Sequence, residues 1–167
     1  MNVPSSSKLN KYRLVLTFVA LISYFFLFAG EIYPNMYLQN ELKNYGFGGY
    51  EKLNPDSLLY IFKRVDEKVT YLLITDEKKK SEYYKKLLEK RYKELVYIIN
   101  VGKTGFLEET ASRYISLTGQ MKKDGMDSIL KEEVKQRISI LEKLRDNYHS
   151  NTPYWLIIQQ TIDTTRL

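Results

Sequence analysis

The chain has no cysteine. It therefore builds no disulfide framework and no thiolate metal site, and no lipid-modified cysteine follows its N-terminal region. Stability has to come from a packed core. Histidine is almost as scarce, since His149, in the polar stretch DNYHSN, is the single one. One imidazole and no thiol exclude a histidine–cysteine pair and a multi-histidine metal centre, and they argue against a catalytic triad. No Asn-x-Ser/Thr acceptor occurs either: Asn151 is followed by Thr-Pro.

A phosphate-binding loop is missing as well, although YIINVGKTG, Tyr97 to Gly105, invites the comparison. That loop needs glycine, four residues, then Gly-Lys-Ser/Thr, between a strand and a helix. Tyr97 stands where the first glycine belongs, and the apolar residues before it continue a helical pattern. Gly102 is expected to be the left-handed cap of that helix, and no nucleotide or other cofactor is expected.

Charge of one sign is not in large excess. The formal net charge is +6, from 26 basic and 20 acidic side chains. Three of the basic ones, Lys8, Lys11 and Arg13, and no acid, precede Leu14. Half the excess thus belongs to a short tail, and no nucleic-acid partner is expected. The lean toward Lys, Tyr, Asn and Ile is that of an AT-rich genome and points to a bacterial, Gram-positive setting.

Long hydrophobic runs are absent but for one. LVLTFVALISYFFLFAG, Leu14 to Gly30, holds no charge, and Tyr12, Ile32 and Tyr33 extend it. About 17 apolar residues are the shortest helix that crosses a hydrocarbon core. A cleaved signal peptide has the same layout but needs small residues one and three positions before the cut. Ala29 has Leu27 two residues earlier and Gly30 has Phe28, so an uncleaved signal anchor is favoured. The expectation is a cytoplasmic tail over residues 1–13 and a span through the lipid bilayer over 14–32. Residues 33–55 then form a juxtamembrane tether, and 56–167 an extracytoplasmic helical domain. Lys8, Lys11 and Arg13 hold the N-terminus inside, and Tyr33 and Tyr37 suit the headgroup level.

The outer part reads as all-α, a bundle of four to five helices. Asn54-Pro55-Asp56 offers a cap, a first-turn proline and an acid at the positive end of the dipole. Leu58, Phe62, Val65, Val69 and Leu72 follow at spacings of three and four, which predicts a helix with that face on the core. No glycine or proline occurs from Ser57 to Val101, yet the apolar phase is lost at TDEKKKS and predicts a break between Thr75 and Ser81. A second helix shows Tyr84, Leu88, Tyr92, Leu95 and Ile99 on one face. A third, Phe106 to Met121, carries Leu107, Ala111, Tyr114 and Met121. After a turn at Asp124-Gly125, Asp127 or Ser128 can cap a fourth with Met126, Leu130, Val134, Ile138, Leu141 and Tyr148 inward. Thr152-Pro153 starts a short last helix with Trp155, Ile158 and Ile162 on one face.

Two carboxylate pairs, Glu108-Glu109 and Glu132-Glu133, are the residues an enzyme would use. Neighbours on a helix point about 100° apart, so neither pair converges on one bond, and acid-rich first turns account for both. No catalytic residue and no metal site is therefore expected. The remaining reading is a single-pass membrane protein that works by protein–protein contact, as an adaptor, inhibitor or assembly factor at the membrane surface. A membrane-anchored cell-wall hydrolase with Glu108 or Glu109 as acid, and a sensory ectodomain, are the alternatives. The candidate partner-binding residues are Tyr45, Phe47 and Tyr50, aromatics in a glycine-containing loop that cannot form a helical stripe.

Overall fold

The computed structural model of the protein describes residues 42–43 and 47–166. Within them the chain is all-helical, with no strand. The helices are α1 (Tyr60–Leu73), α2 (Glu77–Val101), α3 (Leu107–Lys123), α4 (Asp127–Arg145) and α5 (Pro153–Thr165), with a 3₁₀ turn at Thr104–Phe106. The 14–32 run lies outside the described residues, as do Lys8, Lys11, Arg13, Tyr33, Tyr37 and Tyr45. Among the described residues no helix is long and apolar enough to cross a membrane.

Four helices make the core. α2 packs on α3, α3 on α5 and α4 on α5, and α4 also reaches α2 and α3. The faces expected of α2 and α3 are the ones buried: Tyr84, Leu88, Tyr92, Leu95 and Ile99 meet Leu107, Ala111, Tyr114 and Met121. From α4 come Leu130, Val134 and Leu141, and from α5 Ile158 and Ile162, each at most 2% exposed. Ile138 is only partly buried, and Ile140 takes the interior position beside it. Tyr148 lies beyond α4 and donates its hydroxyl proton to the Ile99 carbonyl at 2.9 Å, tying the α4–α5 turn to the end of α2.

The ends of the helices follow local chemistry. Asp76 caps α2 by accepting from the Lys79 backbone N–H at 2.8 Å, which makes the break shorter than the TDEKKKS stretch suggests. The three lysines fall inside α2 because one capped turn costs less than leaving its first N–H groups unpaired. Thr152 caps α5 from Trp155 N–H at 3.4 Å, with Pro153 in the first turn. α4 is not side-chain capped: Met126 occupies the cap position and Asp127 is already in the first turn, where it meets the dipole. α1 also starts later than its sequence implies. Asn54 spends its amide on the Glu51 carbonyl at 2.7 Å instead of capping, and residues 55–59 form turns.

Gly102 ends α2 at φ +72°, with Lys103 N–H donating to Ile98 O at 3.1 Å, the bond of a left-handed cap. A β-carbon there would meet nothing within 4 Å, so only backbone conformation favours glycine. Gly102→Ala is expected to lower stability by about 1 kcal/mol. Lys103→Ala, which removes only a surface contact to Asp56 at 3.9 Å, should stay within about 0.5 kcal/mol. Thermal unfolding followed by circular dichroism compares the two; equal effects would contradict the cap.

Candidate interaction surface

α1 is inside out. The sequence pattern places its apolar face on the core, yet Leu58, Ile61, Phe62, Val65, Val69, Leu72 and Leu73 are 50–83% exposed, while Tyr60 and Glu67 are the helix's buried residues. Its backbone approaches the four-helix core at fewer places than those helices approach one another. It is attached through its polar side chains instead. Tyr60, Lys63, Glu67 and Tyr71 follow at three, four and four, so they share one helix face.

That face meets two charged residues of α2 set one turn apart, Arg91 and Glu94, which are 2% and 0% exposed. Arg91 Nη1 donates to both Glu94 oxygens at 2.7 Å, and Nη2 donates to Glu67 Oε2. Tyr60 gives its hydroxyl proton to Glu94 Oε2 at 2.7 Å, and Lys63 Nζ approaches Glu94 Oε1 at 2.8 Å. Lys63 also donates to the Leu53 carbonyl at 3.0 Å and to Glu51 at 3.2 Å, fastening the segment before α1. From α3, Arg113 donates to Tyr60 Oη at 3.2 Å and lies 5.0 Å over its ring. At the other end Tyr83 donates to the Glu67 carbonyl at 2.7 Å, and Tyr84 joins Tyr71 and Asp124 at 3.1 and 2.9 Å.

The electrostatics follow from burial and pairing. Burial alone would raise the Glu94 carboxyl, but Arg91 and Lys63, with hydrogen bonds from Lys63 and Tyr60, outweigh it and hold its pKa below the ordinary 4.5. Burial would likewise lower Arg91, and the Glu94 and Glu67 carboxylates more than reverse this. The Tyr60 phenol is pushed well above its ordinary value by burial and by Glu94.

Two openings border this cluster. A groove of about 590 Å³ runs under α1 between Val65, Tyr71, Tyr84 and Leu87. A second, about 420 Å³, has Arg64, Arg91 and Arg113 on its walls with Ser112 and Ser116. All three guanidiniums are engaged by carboxylates: Arg64 by Glu67 at 3.4 Å, Arg91 by Glu67 and Glu94, Arg113 by Glu109. Each of the three arginines that line the cleft thus already has a carboxylate partner.

Of the residues singled out from sequence, Phe47 is not on the surface. It is 3% exposed and sits edge-on to Tyr50 at 5.1 Å and to Tyr92 of α2 at 6.1 Å. Tyr50 is half-buried against Tyr97 at 5.6 Å, and its hydroxyl accepts from the Asn100 amide. These two rings strap the N-terminal segment onto α2, because a ring gains more from apolar contact and edge-to-face packing than from facing water. Glu108 and Glu109 are in the first turn of α3, and Glu109 is exposed and paired with Arg113. The first-turn explanation fails for the other pair, which sits beyond the first turn of α4; Glu133 binds Arg137 at 2.6 Å. His149 is exposed beyond the end of α4.

Sequence reasoning missed the buried cluster. Its signal was present: Arg91 falls between Leu88 and Leu95 in the apolar row of α2, one turn from a residue of opposite charge. Residues 52–151, from the segment ahead of α1 through the end of α4, match the family described as a domain of unknown function, DUF5667, and the chain belongs to that family. No curated protein and no solved structure matches the chain.

Arg91→Met takes from Glu67 and Glu94 the buried cation that they share and is expected to cost about 3–5 kcal/mol. Replacing Glu67, Arg91 and Glu94 together by Leu, Met and Leu should cost less than Arg91→Met alone. Urea titrations of both variants test this, and a triple variant weaker than the single one would contradict it. Acid supplies a second test. Because the folded pKa of Glu94 lies below its unfolded value, its contribution is whole above about pH 4.5 and is lost as pH falls through the folded pKa. The wild type should lose stability steeply below pH 4.5, and Glu94→Gln should flatten that part of the curve.

Proposed function

We propose that the protein is a single-pass membrane protein whose extracytoplasmic helical domain acts by binding another protein rather than by catalysis. The uncharged run Leu14 to Gly30 and its flank Lys8, Lys11 and Arg13 support the anchor and its orientation. The exposed apolar face of α1 carries the binding reading. Seven large apolar side chains on one short helix and the turn before it exceed what a monomer ordinarily leaves in water. The helix cannot simply roll over to hide them, because doing so would expose Tyr60, take Glu67 from Arg91 and take Tyr60 and Lys63 from Glu94. The surface is thus held outward by the charges behind it, a rigid platform that loses little entropy on contact. Glu109 points to solvent with its charge neutralised by Arg113, which is poor placement for a general acid.

In cells, alkaline carbonate should leave the protein in the membrane, and external protease should remove the helical domain. Phe62→Asp with Leu72→Asp should abolish the function a deletion reveals while helical circular dichroism and protein level stay unchanged. Glu108→Gln with Glu109→Gln should be silent. The reverse pattern, aspartates silent and glutamines equivalent to deletion, favours the hydrolase and defeats the contact reading.

A further inference from the structure

We propose that the partner seated on the α1 face is the α1 face of a second copy of this chain, giving a two-fold dimer. The proposal rests on the reading of that face as a docking surface and names its occupant. Leu58, in the turn before α1, and Phe62, Val65, Val69 and Leu72 are spaced four, three, four and three, so they form one continuous stripe that a second helix can pack along. Ile61 and Leu73 widen the seam on either side. Bulk is distributed symmetrically: Phe62 and Leu72 lie toward the ends, and the smaller Val65 and Val69 lie between them. Two copies related by an axis between Val65 and Val69 therefore approach most closely at the valines while the larger side chains interleave outside them.

The area fits a dimer. At their observed exposure the seven residues present roughly 800 Å² per copy, so complete burial of both faces would remove at most about 1,600 Å², within the range of specific interfaces. An isologous contact also needs no second complementary surface, since one patch serves both partners. The edges of the face argue against a lipid occupant. Asp66 borders it on one side and Arg64 and Lys68 on the other, whereas a helix lying in a bilayer surface is flanked by Lys and Arg and lacks an acid at the apolar margin. Each α1 is already oriented by Glu67, Arg91 and Glu94, so pairing does not have to order it first.

The absence of native cysteine makes the test direct. The full-length chain with Val65→Cys is produced in its membrane in two differently tagged forms and oxidised with copper phenanthroline. The expected product is a disulfide species of twice the chain's mass carrying both tags. Lys135→Cys, on the exposed side of α4, should not form it. Adding Leu72→Asp to Val65→Cys should lower its yield about tenfold or more. In parallel, a photocrosslinking benzoylphenylalanine replaces Phe62. Adducts of twice the chain's mass support the pairing. Adducts only to a protein of another mass overturn it while leaving the proposed function standing. Adducts only to lipid overturn both. Absence of any adduct, with the thiol introduced by Val65→Cys open to a water-soluble maleimide, shows an uncovered face and also overturns the pairing.

Discussion

Arg91 is the residue on which the arrangement of this domain turns. A guanidinium at 2% exposure is tolerable only if nearby carboxylates satisfy it, and Glu94 on its own helix supplies one of them. The other comes from Glu67, which is on α1, so the requirement of one buried cation dictates where a second helix must lie. Tyr60 and Lys63 complete the Glu94 carboxylate from the same helix. Breaking such a network by removing one member is far more costly than its net contribution to stability, because the groups left behind are charged and dry. The cluster therefore acts chiefly as an orientation device.

The consequence for α1 is unusual for a surface helix. Amphipathic helices ordinarily turn the apolar stripe inward, since burial of a Leu or Phe side chain is worth about 1.5–3 kcal/mol. Here the polar stripe faces inward, and Leu72, Leu73, Phe62 and Leu58 stand in water. What decides the matter is that the core of α2, α3, α4 and α5 is already filled at the position where α1 docks: Leu88, Leu95 and Ile98 are fully buried, and what α2 offers to α1 is charge. A helix that brought its apolar face there would leave Arg91 without Glu67 and Glu94 without Tyr60 and Lys63. The chain satisfies its buried ions and leaves the apolar face of α1 exposed.

The segment before α1 obeys the opposite logic. Phe47 and Tyr50 have no charge to satisfy and find on α2 the aromatic faces of Tyr92 and Tyr97. Together with the Lys63 contacts to Leu53 and Glu51, they bring the chain across α2 and deliver it to α1 in one orientation. Phe47 and Tyr50 thus serve as internal clamps, and the exposed apolar face belongs to the helix that follows.

Much of the fold was legible from residue order, for reasons that are local. Periodicity at three and four defined α2 and α3 and their inward faces, the Gly102 terminus followed from left-handed backbone geometry, and Thr152-Pro153 started α5. Such features depend on residues within a turn or two of one another. Periodicity also located the α1 stripe correctly, but it assigns a stripe to a helix without saying what lies opposite. Whether Phe62 faces a core or water depends on Arg91 and Glu94, some thirty positions later in the chain, and whether Phe47 is a binding residue or a clamp depends on Tyr92. By itself the sequence determined which residues share a face. Only the tertiary structure decided which face is spent inward, because that choice is made by pairing buried charges from two helices, an interaction with no period in the sequence.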